Sequence, residues 1–233
     1  MKNLHKNLFG IYWIACFCLS ASATLLLICI VPGVQRRRAI ARCGARTIFW
    51  VTGMSPELRR AELLPETTAI VVANHASYLD GILMTAALPS RFAFVIKKEV
   101  TTVPVLHFLL RRIGSHFVDR TDVKQGALDA RQILRSANAN VSLGFFPEGT
   151  FRLEPGLGHF KPGAFRIAAR SGLPVVPAVI QGSRQILPDK RLLPWPGKIT
   201  VTLTDPIQSD DARRLNDQTR HQILAVLDEP DLT

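Results

Sequence analysis

From Leu8 to Val31 no position carries a charge, and as a helix that run is about 36 Å long, enough to cross the hydrocarbon of a bilayer. The pattern predicts a membrane-associated helix. A secretory leader is the alternative, because Ala21-Ser22-Ala23 resembles a small-residue cleavage site behind Lys2 and Lys6. The apolar run nevertheless continues through Leu25 to Val31, beyond the point where a leader's hydrophobic region ends. Between Arg36 and Arg60 seven arginines stand against one acid, Glu57. Arg38, Arg42 and Arg46 recur every four residues and predict one basic helical face. Ile40, Cys43, Ile48, Phe49, Trp50 and Val51 add apolar surface, so the segment reads as an interfacial helix against anionic headgroups, or else as a plain solvated charged face.

From about Thr67 onward, short β-branched or aromatic runs alternate with longer segments of helical period, the signature of an α/β domain. Strands are expected at 69–72, 92–96, 116–118, 141–146, 175–180 and 199–204. Helices are expected at 105–113, 124–137 and 162–171, with Pro104 and Pro162 as their starts, and a final amphipathic helix at 211–227. The segment from Val103 to Ile113 carries more apolar surface than one core-facing stripe requires; a core helix is the expectation and lipid contact the alternative. Residues 1–60 thus form a hydrophobic helix and a basic helix, and residues 61–233 a single domain. No internal repeat or linker interrupts them.

The formal net charge of +11 calls for an anionic partner: nucleic acid, a phospholipid surface or a phosphorylated substrate. Its concentration beside the hydrophobic run argues for lipid and against nucleic acid, and arginine excess after that run favours a cytoplasmic face for the domain. Cys16, Cys18 and Cys29 lie in the hydrophobic run and Cys43 in the basic segment, a distribution with neither disulfide framework nor zinc spacing.

The chemistry concentrates at Asn74-His75-Ala76-Ser77-Tyr78-Leu79-Asp80, directly after an apolar strand. Residues five apart on a helix diverge by about 140°, so His75 meets Asp80 only if His75 sits in the turn and Asp80 in the first helical turn. Such a pair is a base and its orienting carboxylate, able to take a proton from a hydroxyl. Ser77 is expected to cap that helix. Further candidates are Arg120 at the end of Gly114-Ser115-His116-Phe117-Val118-Asp119-Arg120, Glu148 with Gly149 and Thr150 behind Pro147, and Lys161 ahead of a helix start. Pro174 and Pro177 in the run Leu173 to Val179 disfavour a central ladder position at those residues.

In this order and spacing the four segments resemble the glycerolipid acyltransferase family that includes the lysophosphatidic acid acyltransferases. NHASYLD resembles its His-x4-Asp motif, GSHFVDR its second, FPEGT its third and LPVVPAV its fourth. The resemblance, from about Thr67 to Ile180, implies a single mixed-sheet α/β domain flanked by helices, behind a membrane-docking helical pair. It also implies His75 as general base, Asp80 as its partner and Arg120 as a phosphate ligand. Glu148 and Gly149 would meet the acceptor's glycerol region, and Pro177 would shape the acyl-donor side. Phe151 stands where that family often has arginine, with Arg152 one position later, and His116 replaces a usual aromatic or aliphatic residue.

The implied activity is transfer of a fatty acyl group from a thioester of coenzyme A or acyl carrier protein, a substrate, to the hydroxyl of a lysophospholipid. The implied acceptor is lysophosphatidic acid; no cofactor or metal is implied. Rival readings are another lysolipid or aminolipid acceptor, an acyl-thioester hydrolase using the same pair on water, and a non-enzymatic lipid-binding protein.

Overall fold

The computed structural model describes residues 2–119, 123–151 and 154–233. Two helices open the chain, α1 (Lys2–Ile30) and α2 (Val34–Val51), joined by a turn at Gly33 and packed antiparallel. Their crossing depends on small residues. Ser20 Oγ donates to Gly44 O at 3.0 Å, and a Cβ on Gly44 would collide with Thr24 Oγ1. Trp13 of α1 and Ile48 and Phe49 of α2 are buried in the same core cluster as Val71 and Val176 of the sheet.

The remaining elements are β1 (Glu57–Arg59), β2 (Ile70–Ala73), α3 (Leu79–Ala87), β3 (Phe92–Lys97), α4 (Pro104–Arg112), β4 (His116–Val118), α5 (Val123–Asn138), β5 (Ser142–Phe145), α6 (Gly163–Ser171), β6 (Val175–Gln181), α7 (Ser183–Ile186), β7 (Thr200–Leu203) and α8 (Ala212–Leu224). The sheet order is β1-β7-β6-β2-β5-β3-β4, parallel throughout except where β7 pairs antiparallel with β6. The sheet is therefore mixed and helix-flanked, as expected.

Alternation along the strands assigns the two faces. Val71, Ala73, Val176, Ala178 and Ile180 pack with α1, α2 and α3, whereas Ile70, Val72, Val175 and Val179 pack with α5, α6 and α8. Both faces of β2 are covered, which is why its sequence is continuously apolar. The six expected strands form within two residues of their predicted limits. The edge strand β1 escapes the pattern because all three of its residues are exposed.

Three expectations change. Pro177 lies inside interior strand β6, opposite Val72. The ladder tolerates it because its carbonyl faces Thr204 N, at 3.0 Å, so its missing N–H points to the same side, just past the end of β7. The helix α4 is not a core helix: it buries no residue, and Val105, Leu106 and Phe108 are exposed.

The third change concerns the basic face of α2. Arg46 is exposed, but Arg38 turns inward, donating to Ile113 O at 2.8 Å and Gly114 O at 3.2 Å beyond the end of α4. A cation there answers the orphan carbonyls and dipole of a helix C-terminus. Arg38→Ala should lower stability by roughly 2 to 3 kcal/mol, the scale of charge-assisted hydrogen bonds lost from a partly buried site. Chemical denaturation in detergent measures it. Unchanged stability with reduced affinity for anionic vesicles would instead return Arg38 to the headgroups.

Candidate active site

The parallel strands β2 and β5 are neighbours, and the chain leaves both at the same edge of the sheet. Crevices at the carboxyl ends of parallel strands are where such folds assemble their sites. His75 follows β2 in a turn, Asp80 is the second residue of α3, and Glu148 follows β5 behind Pro147.

His75 Nδ1 lies 2.9 Å from Asp80 Oδ2. The same oxygen accepts the amides of Ala76 at 2.7 Å and Ser77 at 2.8 Å, so the carboxylate is fully buried yet held by three donors at the start of a helix. With Asp80 ionised, Nδ1 carries the ring proton and Nε2 is the basic nitrogen. Among the described residues nothing hydrogen-bonds Nε2, and the side chain keeps 18% of its surface open. The imidazole stacks on Phe146, centroids 4.4 Å apart, and meets the edge of Phe151 at 4.8 Å; Tyr78 in turn packs edge-on against Phe151. The ring is thus fixed from below by a carboxylate and from the sides by aromatics.

Backbone contacts fix the turn itself. Asn74 spans to β6, accepting Ile180 N at 2.7 Å and donating to Ile180 O at 3.0 Å. Ser77 Oγ accepts Leu79 N at 3.1 Å and donates to Leu187 O at 2.7 Å. Its hydroxyl is therefore engaged by the helix start, as the sequence suggested, and by Leu187.

Glu148 accepts His75 N at 2.7 Å on Oε1 and Gly158 N at 2.8 Å on Oε2. Burial pushes its carboxyl above the usual range, opposed by those two amides and by the charges of His75 and Arg184. The sequence reading gave Glu148 to the acceptor; the geometry adds a bracket on the backbone of His75. Gly149, at φ 77°, makes the tight turn behind it, donating to Phe146 O at 3.1 Å, and Thr150 is exposed.

Lys161 is exposed ahead of α6, its amide on Pro147 O at 3.0 Å. Pro177 is not brought to the pair: it lies level with Val72, three residues before His75, on the face turned to α6 and α8. Arg120 and Arg152 lie outside the described residues. Asn74 and the Gly158 amide were missed by sequence reasoning. A polar residue closing an apolar strand was the available signal for Asn74, whereas nothing local marks Gly158. Among the described residues no group of three His, Cys, Asp or Glu side chains is arranged to hold a metal ion.

Comparison with known proteins places the site in context. The Acyltransferase family profile matches residues 43–181. The chain is 31% identical over 225 residues to the chloroplastic 1-acyl-sn-glycerol-3-phosphate acyltransferase of Brassica napus, covering 89% of this chain and 64% of that protein. It is 28% identical over 188 residues to mouse 1-acyl-sn-glycerol-3-phosphate acyltransferase alpha, covering 77% and 66%. The chain thus spans less than two thirds of the length of these relatives. In fold it is similar to the crystal structure of the 1-acyl-sn-glycerophosphate acyltransferase of Thermotoga maritima, with TM-score 0.81 at 20% identity, covering 97% of this chain and 96% of that one. The profile match encloses the turn of His75, the helix of Asp80, the bracket at Glu148 and strand β6, and by that match the chain belongs to the Acyltransferase family.

Proposed function

We propose that this protein is a membrane-associated acyltransferase that moves a fatty acyl group from a thioester to the free hydroxyl of a lysophospholipid, with lysophosphatidic acid as acceptor and phosphatidic acid as product. The observation that carries this reading is the 2.9 Å contact between His75 Nδ1 and Asp80 in a mostly enclosed aromatic pocket. Nε2 of His75 takes the acceptor's hydroxyl proton as the oxygen attacks the thioester carbonyl. The new C–O bond forms, the C–S bond breaks, and the imidazolium returns its proton to the departing thiolate. Asp80 stabilises the imidazolium in between. Coenzyme A or acyl carrier protein carries the donor as a substrate, and the step needs no metal.

The names of the relatives support the acceptor assignment, and the net charge of +11 suits a phosphorylated lipid. Arg120 and Arg152 are the cations proposed for its phosphate. A membrane seat is supported by two adjoining apolar elements. α1 exposes Leu4, Leu8, Ile11, Leu19, Leu26 and Ile30, and α4 exposes Val105 and Phe108, with Arg112 of α4 donating to Ile28 O and Cys29 O of α1. The domain is proposed to work on the cytoplasmic face.

Mass spectrometry of products from a lysolipid panel, offered one defined acyl thioester, tests the proposal. Phosphatidic acid is expected as the main product. Free fatty acid in the presence of abundant lysolipid would replace transfer by hydrolysis.

A further inference from the structure

The segment Glu229–Thr233 lies along the loop 154–158 like a short added strand. Leu157 N donates to Pro230 O at 2.9 Å, Leu232 N donates to Leu157 O at 3.1 Å, and Leu157 is fully buried between them. Gly156 N donates to Glu229 Oε2 at 2.7 Å, and a Cβ on Gly156, at φ 136°, would run into Leu232. Two residues later Gly158 N grips Glu148 Oε2 at 2.8 Å, while Arg220 donates to Gly158 O. The loop is therefore clasped on one side by this segment and delivers an amide to the bracket of His75 on the other.

Arg184 ties the clasp to the opposite side of the site. It sits on α7, 8% exposed, with Nε 3.3 Å from Glu229 Oε1 and a terminal nitrogen 3.1 Å from Oε2. The residue after α7, Leu187, accepts the hydroxyl of Ser77 in the turn of His75. One short helix thus touches the His75 turn directly and, through Glu229, the loop that holds Glu148. The pair is part-buried, so removing either partner takes a counter-ion from the other where solvent replaces it poorly.

We propose that Arg184 and Glu229 are positioning residues for His75, acting through the 156–158 loop and the carboxylate of Glu148. The proposal deepens the acyltransferase reading and rests on it. Among the described residues neither hydrogen-bonds His75; each acts by keeping Gly158 and Glu148 where the His75 amide is held. Protonated Glu148 would present an O–H where two amides now donate, and one of them would be lost. The charged groups facing Glu148 among the described residues are His75 and Arg184, with Glu229 behind Arg184.

The test compares Arg184→Gln, Arg184→Lys and Glu229→Gln in the 233-residue chain in detergent. Each should lower kcat by about 10- to 10²-fold with KM for the lysolipid little changed, the signature of a displaced base. The acidic limb of the pH profile should move in opposite directions. Losing the Arg184 charge removes a partner that favours ionised Glu148, so Arg184→Gln moves the limb to higher pH. Glu229→Gln leaves the Arg184 charge less compensated and moves it to lower pH. Arg184→Lys should keep the limb in place. In a Glu148→Gln background the Arg184→Gln substitution should add little further loss.

Equal limbs in all three variants, or full additivity with Glu148→Gln, overturns the proposal. Amide hydrogen exchange separates it from the enzymatic reading. Segments 155–158 and 74–76 should both exchange faster in Glu229→Gln, whether or not the protein transfers acyl groups. Faster exchange confined to 155–158 also overturns it. Absence of acyl transfer by the unmodified protein, with exchange coupled as expected, would sink the enzymatic reading alone.

Discussion

His75→Ala is expected to lower acyl transfer by at least about 10²-fold, since a positioned base contributes roughly 10² to 10⁴. The loss should fall on kcat. His75 touches the reacting hydroxyl in the proposed reaction, and no other described imidazole or carboxylate hydrogen-bonds Asp80. Stability should fall by less than activity, because the side chain is partly open and the buried Asp80 carboxylate, though it loses one of its three donors, keeps the amides of Ala76 and Ser77. Thermal unfolding alongside steady-state kinetics with a thioester donor checks both halves. A folded His75→Ala protein with near-normal turnover would remove the base from the mechanism and the proposed reaction with it.

Asp80→Asn is the second large effect, expected between about 10² and 10⁴ in turnover. The substitution preserves shape but reverses polarity at one terminal atom. An amide oxygen can still accept from Ala76 and Ser77, but it has no charge with which to stabilise an imidazolium. If the amide nitrogen turns toward His75, Nδ1 must become the acceptor and Nε2 the protonated nitrogen, the wrong tautomer for a base. The pair acts as one unit, so His75→Ala with Asp80→Asn should be scarcely worse than His75→Ala alone. Multiplying losses in the double variant would show that the two side chains do separate work. Nitrogen chemical shifts of His75 in Asp80→Asn report the tautomer directly.

Much of this site was legible because its information is local. A histidine in a turn and an aspartate in the next helical turn are five residues apart, and an apolar run announces the strand that delivers them. The six expected strands, edge strand β4 among them, were legible for a related reason: each is a short apolar run, and in β2 and β6 burial on both faces writes itself as continuous apolar sequence. What stayed hidden depends on distant partners. Arg38 belongs to a basic run that reads identically whether it meets headgroups or the carbonyls of Ile113 and Gly114. The apolar stripe of α4 looks the same buried or exposed. Pro177 is permitted in an interior strand only because β7 ends beside it, which no window around residue 177 records. The amide of Gly158 reaches Glu148 because a segment about 70 residues later in sequence clasps its loop.

Both ends of α1 touch the same globular body. Near its start, Lys6 lies over the Trp195 ring at 4.1 Å, and at its finish Arg112 holds the carbonyls of Ile28 and Cys29. A rod fastened at two points to one body cannot emerge on the far side of a bilayer without releasing one of them. In the proposed membrane seat such a rod would lie in a single leaflet, wedging lipids apart there and leaving the opposite monolayer untouched. With that seat, the protein is expected to bind convex, loosely packed vesicles more tightly than flat bilayers.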